Sequence, residues 1–194
     1  MKTAVFILSV FAIVLFVTPS RTLAQRDYLT PEEVELIREA QEIDKRVEIL
    51  VKAIDRRFDA LKIDVGGAKI GKKDIDKWGE LPLSSKHELL LDIKRILQKA
   101  IDDIDSLAER PDSAYIEPDP KDREKNNYAA LFPKAVRGLA KAAERYRPAL
   151  KGLLDTTLAN AEKGAVLDSM ESCDEIIAAV GKLPNDSPKK GKVH

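Results

Sequence analysis

The residue types that do chemistry near neutral pH are scarce in this chain. Apart from its last residue it has one histidine, His87, and apart from the initiator it has one methionine, Met170. A helical bundle can hold haem between one His and one Met, so these two are the candidate cofactor ligands. The competing reading is plainer. His87 falls in the first turn of a helix opened by Ser85, where side chains are mostly wet. Met170 lies one position off the apolar stripe of its helix, and no C-x-x-C-H is present to attach haem covalently. The expectation is a surface imidazole and a boundary methionine, with no cofactor.

Asp102, Asp103 and Asp105 stand among Ile101 and Ile104. Metal-binding bundles place Glu and Glu-x-x-His pairs inward, whereas these aspartates fall between core positions with no histidine beside them. They read as a solvated acidic face, with no metal expected. Gly66 to Lys73 reads G-G-A-K-I-G-K-K and stops one residue short of a phosphate-binding loop, lacking the hydroxyl that holds magnesium. That loop must join a strand to a helix, and here it follows a helical pattern, so it reads as a basic surface loop. Cys173 sits on an apolar stripe and is expected to be buried and inert; with a single mid-chain histidine, a thiol nucleophile has no obvious base. No catalytic residue is identified at readable spacing. Carboxylate pairs assemble only in the fold, so a hydrolytic enzyme stays open as the third reading.

Composition narrows the classes. The 33 basic and 33 acidic residues cancel, which argues against binding nucleic acid through bulk electrostatics. One cysteine permits neither an internal disulfide nor a Cys-based zinc site. Charged residues make up 34% of the chain, but 44% hydrophobic content is too much for a disordered polymer.

The N-terminus reads as an address. Met1 and Lys2 precede an apolar run from Ala4 to Val17, and Thr22-Leu23-Ala24 is a small-x-small cleavage site before Gln25. The run rises about 21 Å as a helix. A membrane core is roughly 30 Å thick, so a cleaved export signal over residues 1–24 is favoured over a retained anchor. The mature chain is then exported to the periplasm or beyond, with no integral membrane span of its own. Losing Lys2 and Arg21 leaves it acidic by two charges.

Four apolar stripes must position whatever the mature chain presents. Thr30-Pro31-Glu32-Glu33 combines an N-cap, a proline at N1 and a capping box. Behind it Leu36, Ala40, Ile43, Val47, Leu50, Ile54, Arg57 and Leu61 keep heptad spacing, unbroken until Gly66-Gly67. That predicts one helix over about 31–63, roughly 45 Å long. Ser85 to Glu88 is a second capping box, opening a helix over 85–109 whose stripe runs from Leu90 through Ile93, Leu97, Ala100 and Ile104 to Leu107. A third stripe, Tyr128, Phe132, Ala135, Leu139, Ala142 and Tyr146, predicts a helix over 127–147, with Pro133 expected in its first turn and Pro148 as its stop or a restart. The fourth, from Leu150 through Leu154, Leu158, Ala161, Ala165, Ser169, Cys173 and Ile176 to Val180, predicts a helix over 149–181, weakened by Gly164.

The fold expected is all-α: an antiparallel four-helix bundle over 25–182, followed by a disordered Lys-rich tail over 183–194. Lys182, Lys189, Lys190 and Lys192 make that tail basic, and Asn185-Asp186-Ser187 matches a glycosylation sequon followed by Pro188. The function expected is a non-enzymatic exported domain that binds a macromolecular partner or itself. The alternative is a bundle that binds a small molecule, haem or a metal between its helices.

Overall fold

The computed structural model describes residues 27–67, 69, 71, 74–109, 128–156 and 159–183. All regular structure among them is helical: α1 (Pro31–Glu39), α2 (Ile43–Ala60), α3 (Ile75–Trp78), α4 (Lys86–Glu109), α5 (Tyr128–Leu154) and α6 (Asn160–Ala179), with a 3₁₀ turn over Val180–Lys182. The expected export signal, the segment 110–127 and the residues after 183, including the sequon and the Lys-rich end, lie outside the described residues.

The long helices α2, α4, α5 and α6 close around one core. Leu50, Ile54, Phe58, Ile93, Ile96, Leu97, Leu139, Tyr146, Leu150 and Val166 are its most enclosed side chains. Around the ring α2 touches α4 and α5, and α6 touches both of those from the far side. The pairings Asp44–Lys134 and Asp55–Tyr146 advance together along α2 and α5, so these neighbours are parallel. So are α4 and α6, joined by Lys94 and Asp168 at 2.6 Å and by Ile101 and Ile104 beside Ile176. Consecutive long helices alternate in direction, but two of the four ring contacts are parallel. The all-α fold is as expected, and the antiparallel packing expected with it does not extend to these two contacts. The helices α4 and α5, consecutive among the long ones, thus lie across the diagonal of the ring, with α2 and α6 between them.

Three helix boundaries differ from the sequence expectation. The predicted helix over 31–63 is two helices. In one continuous helix Glu33 and Arg57 would lie about 36 Å apart; here their side chains form an ion pair. The chain turns back at Ala40, whose ψ of 97° is extended, and Arg46 Nε and Nη2 cap its carbonyl at 3.3 and 3.2 Å. The heptad stripe runs through the corner because both helices bury their apolar face in the same core. A buried ion pair and a side-chain cap, which periodicity does not register, set the break.

The end of α2 is a Schellman turn, with Ile63 N–H on the Phe58 carbonyl and Lys62 N–H on the Asp59 carbonyl, each at 2.9 Å. The left-handed position is Lys62, with φ 60°, where glycine is usual. The helix therefore stops before the glycines that were expected to end it.

Pro133 and Pro148 both lie inside α5, which starts at Tyr128 and runs on to Leu154. Pro133 thus sits in the second turn, not the first. Pro148 is exposed, as is Glu144, so the hydrogen bond it removes is on the solvent side of the helix. Tyr146, Leu150 and Leu153 keep the buried face continuous across it. The reversal into α6 comes instead after Leu154, where Thr156 donates from its amide and hydroxyl to the Leu153 carbonyl at 3.0 and 2.6 Å. Glu162 then accepts from the Ala159 amide at 3.1 Å. Ala161, placed on the core stripe by the sequence, is exposed as a result.

Candidate functional site

The polar residues that matter most gather where α1 folds back along α2. Residues Ala53 to Phe58 are buried in succession, because the bundle covers one side of α2 while α1 and the loop after α2 cover the other. Three of those six are charged. Arg57 occupies a core position of the stripe, so its guanidinium must find partners. Nη1 reaches Glu33 Oε1 and donates to the Ala53 carbonyl at 3.1 Å, Nη2 donates to the Tyr28 carbonyl at 2.6 Å, and Nε lies 3.8 Å from Asp92 of α4. Arg56 Nη1 donates to the same Glu33 oxygen at 2.6 Å, while Nη2 donates to the carbonyls of Gly79, at 3.1 Å, and Glu80. Burial pulls the Arg56 guanidinium below its ordinary range, and the Glu33 carboxylate pulls it back.

The other Glu33 oxygen accepts from Thr30 N–H at 2.9 Å, completing the predicted capping box. One side chain thus caps α1 and anchors it to α2.

Just before these arginines, Asp55 faces α5. Its carboxylate accepts from the Tyr146 hydroxyl at 2.7 Å and lies 3.4 and 3.5 Å from the Arg145 guanidinium, which also donates to the Val65 carbonyl at 2.9 Å. Gly67 presses on the same carboxylate so closely that a Cβ there would overlap it. Tyr146 is stacked on Phe58 with ring centres 5.2 Å apart. Desolvation first, then the charge of Asp55, pushes the Tyr146 phenol well above its usual value.

These anchors frame a cleft of about 450 Å³ outside the bundle, between the end of α2 and the loop that follows. Arg145 pins one rim through Val65 and Arg56 the other through Gly79 and Glu80. Ile63, Val65, Ile75 and Leu81 give the cleft an apolar lining, and Asp59, Asp64, Glu80, Lys62 and Lys69 add charge of both signs. Gly79 makes the far turn at φ 67° and ψ −179°, a conformation open essentially to glycine alone. Just before it Trp78 is buried under two cations of α2, with Lys52 Nζ 5.9 Å and Arg56 Cζ 5.8 Å from the ring centre.

The candidates raised from sequence do not meet here. His87 stands at the start of α4, half-buried where an exposed side chain was expected, and its Nδ1 is enclosed without a hydrogen-bond partner among the described residues. Met170 is half-buried on α6, packed against the core edge. Asp102 accepts from Gln98 at 2.9 Å and Asp103 pairs with Lys99 at 3.2 Å, while Asp105 is exposed. Among the described residues no group of three or more His, Cys, Asp or Glu is placed to hold a metal ion. Cys173 is fully buried, as its stripe position implied, and burial pushes its thiol up to about 12. Gly66 of the phosphate-loop-like run turns at φ 66° and donates to Asp64 at 2.9 Å, downstream of a helix rather than a strand.

The cleft and the buried network were missed. One signal for them was legible: an arginine at a core heptad position, with a glutamate in the preceding helix able to meet it. Comparison with protein families, curated proteins and solved structures found no match for the chain.

Proposed function

We propose that the chain is an exported, non-enzymatic binding protein whose residues 1–24 are a cleaved signal and whose helical bundle is a rigid scaffold. Its contact surface is the cleft side. The observation that carries this is where apolar side chains face water. Of five large hydrophobic residues exposed among the described residues, three fall within 75–83: Ile75 at 42%, Leu81 at 41% and Leu83 at 92%. Scattered exposed hydrophobics need no explanation, but a cluster rimmed by charge on an anchored loop marks an interaction site.

The far side of the bundle offers less among the described residues: a solvent-open groove beside α4, α5 and α6, edged by the exposed Asp105 and Glu175, measures about 60 Å³. The two acids displaced most from their ordinary range, Tyr146 and Cys173, both move away from neutrality, so neither is poised as a general acid or nucleophile at pH 7. The buried carboxylates and guanidinium ions hold α1, α2 and the loop in register, which suits scaffolding rather than turnover.

In-cell photo-crosslinking tests the reading. A photoreactive residue at position 83 should trap a discrete partner in the exported fraction, and one at the exposed Leu167 of α6 should not. Equal products from both positions, or none from either, would overturn it. N-terminal sequencing of that fraction should begin at Gln25, and recovery of intact Met1 in the membrane pellet would overturn the export reading.

A further inference from the structure

We infer that the segment Leu81–Leu83 and the cleft it edges take an extended stretch of another polypeptide, rich in aliphatic side chains and carrying no net negative charge. The inference rests on the cleft side being the contact surface and goes beyond it by naming the partner's chemistry.

The main chain makes the first case. The carbonyls of Gly79 and Glu80 are held by Arg56, but the amides and carbonyls of Leu81 and Leu83 bond to no described residue. Pro82 confines Leu81 to extended backbone. In an extended chain the amide and carbonyl of alternate residues point to one edge, so with Pro82 also extended Leu81 and Leu83 would offer two donors and two acceptors together. The N–H that Pro82 lacks falls on the opposite edge, which is where strands tolerate proline. A short open edge of this kind is the template for strand addition. Because Arg56 anchors it at Glu80 and the capping box of α4 anchors it at Ser85, with Ser85 N–H on Glu88 at 2.9 Å, little order must be gained on binding.

The lining makes the second case. Leu81 and Ile75 stand at the mouth and Ile63 and Val65 line the cleft, whose 450 Å³ falls in the range of about 300–1,000 Å³ that seats small ligands and side chains. Aliphatic residues at alternate positions of an added strand would enter it on one face.

Charge selects the kind of polymer. Asp59, Asp64 and Glu80 oppose Lys62 and Lys69, and none of the five forms an ion pair among the described residues. The described lining is acidic by one charge, which disfavours a polyphosphate or an anionic lipid surface and suits a peptide with basic flanks.

Fluorescence anisotropy with a labelled, end-blocked Lys-Val-Thr-Val-Lys peptide tests this on the purified protein. Saturable binding is expected. Methylating the two valine amides should weaken it about tenfold or more, the loss expected for two main-chain hydrogen bonds. Leu83→Asp should weaken it as much, at a side chain too exposed to affect folding. The Glu-Val-Thr-Val-Glu peptide should also bind more weakly. Equal binding of the methylated or the acidic peptide, an unaffected Leu83→Asp variant, or no saturable binding would each overturn the inference. A crosslink at position 83 without peptide binding would leave the contact surface standing and remove only this partner chemistry.

Discussion

Glu33→Ala should be among the most damaging single changes available in the first sixty residues. It removes a carboxylate that is fully buried and accepts from Arg56 at 2.6 Å, from Arg57, and from the Thr30 amide at 2.9 Å. What remains is Arg57 with Asp92 3.8 Å from its Nε, and Arg56, equally buried, with only the charge of Glu32 to oppose its own. Breaking a buried pair from one side typically costs about 3–5 kcal/mol, and the lost share of the capping box about 1 kcal/mol. There is a ceiling on how much of this reaches the global transition. If α1 lifts off, Arg56 and Arg57 regain water, and the loss saturates at the free energy that held α1 down. That hold rests on Leu36 and Ala40 with the partly buried Tyr28, Leu29 and Ile37, and burying a single leucine contributes only about 1.5–3 kcal/mol.

The two outcomes separate by assay. Urea denaturation should show a loss of about 3–5 kcal/mol if α1 unfolds with the bundle, and a smaller loss with a lower m-value if it detaches first. In either case amide exchange across α1 should quicken by about a hundredfold or more relative to mid-α4, a shift of roughly 2.7 kcal/mol in local opening. Glu33→Gln keeps the shape and one acceptor and should lose about half as much, in line with about 1.5–3 kcal/mol for hydrogen bonds to charged groups. A Glu33→Ala protein within about 1 kcal/mol of wild type, with α1 protection unchanged, would refute the account of what folds α1 back.

Truncating Leu50 or Leu97 to Ala, both fully enclosed, should cost about 2–5 kcal/mol by chemical denaturation, whereas His87→Ala, half-buried at a helix start, should cost about 1 kcal/mol or less. Gly67→Ala should lower the melting temperature and flatten the stabilising contribution of Tyr146→Phe cycles, because its Cβ would displace the Asp55 carboxylate. Lys62→Gly should leave stability unchanged or raise it by up to about 1 kcal/mol, since φ 60° strains any residue with a Cβ. Stability should fall as the solution becomes alkaline. The unfolded chain releases the Cys173 and Tyr146 protons near pH 9 and 10, the folded chain only at higher pH, so the Cys173 contribution is whole below pH 9 and lost through about pH 12, and the Tyr146 contribution is whole below pH 10 and lost above it. Unfolding titrations of Cys173→Ala and Tyr146→Phe should each show a shallower alkaline slope, by up to about 1.4 kcal/mol per pH unit for each group.

How far the fold was legible follows from what each residue reports. Leu50, Ile54, Ile93, Leu97, Leu139 and Ile176 announced their burial because an amphipathic helix repeats its face every 3.6 residues, and that face is buried whichever neighbour covers it. Periodicity cannot tell one helix from two that bury the same face, so the corner at Ala40 passed unseen. Pro148 misled for the complementary reason. Proline breaks a helix only where the lost hydrogen bond goes unsatisfied, and an exposed position beside a strong core face escapes that penalty. Which helices would be neighbours was out of reach, since an apolar stripe marks a buried face and not the helix that covers it.

The residues that build the candidate site share a different property: each is costly alone and makes sense only with a partner distant in sequence. Arg57 needs Glu33 and Asp92, Asp55 needs Tyr146 and the bare Cα of Gly67, and Arg56 needs the carbonyls at 79 and 80. Such groups destabilise a core unless every partner arrives, so a sequence that keeps an arginine on a core heptad position must supply the rest elsewhere. That rule points from Arg57 to a tertiary partner without saying which acid it is. Applied outward, it also locates the surface. The same guanidinium ions that satisfy the buried acids donate their remaining hydrogens to the loop rims at Val65, Gly79 and Glu80. The cleft is therefore shaped by the residues that close the core, and weakening the core network at Glu33 or Asp55 should loosen the binding edge at Leu81 as well.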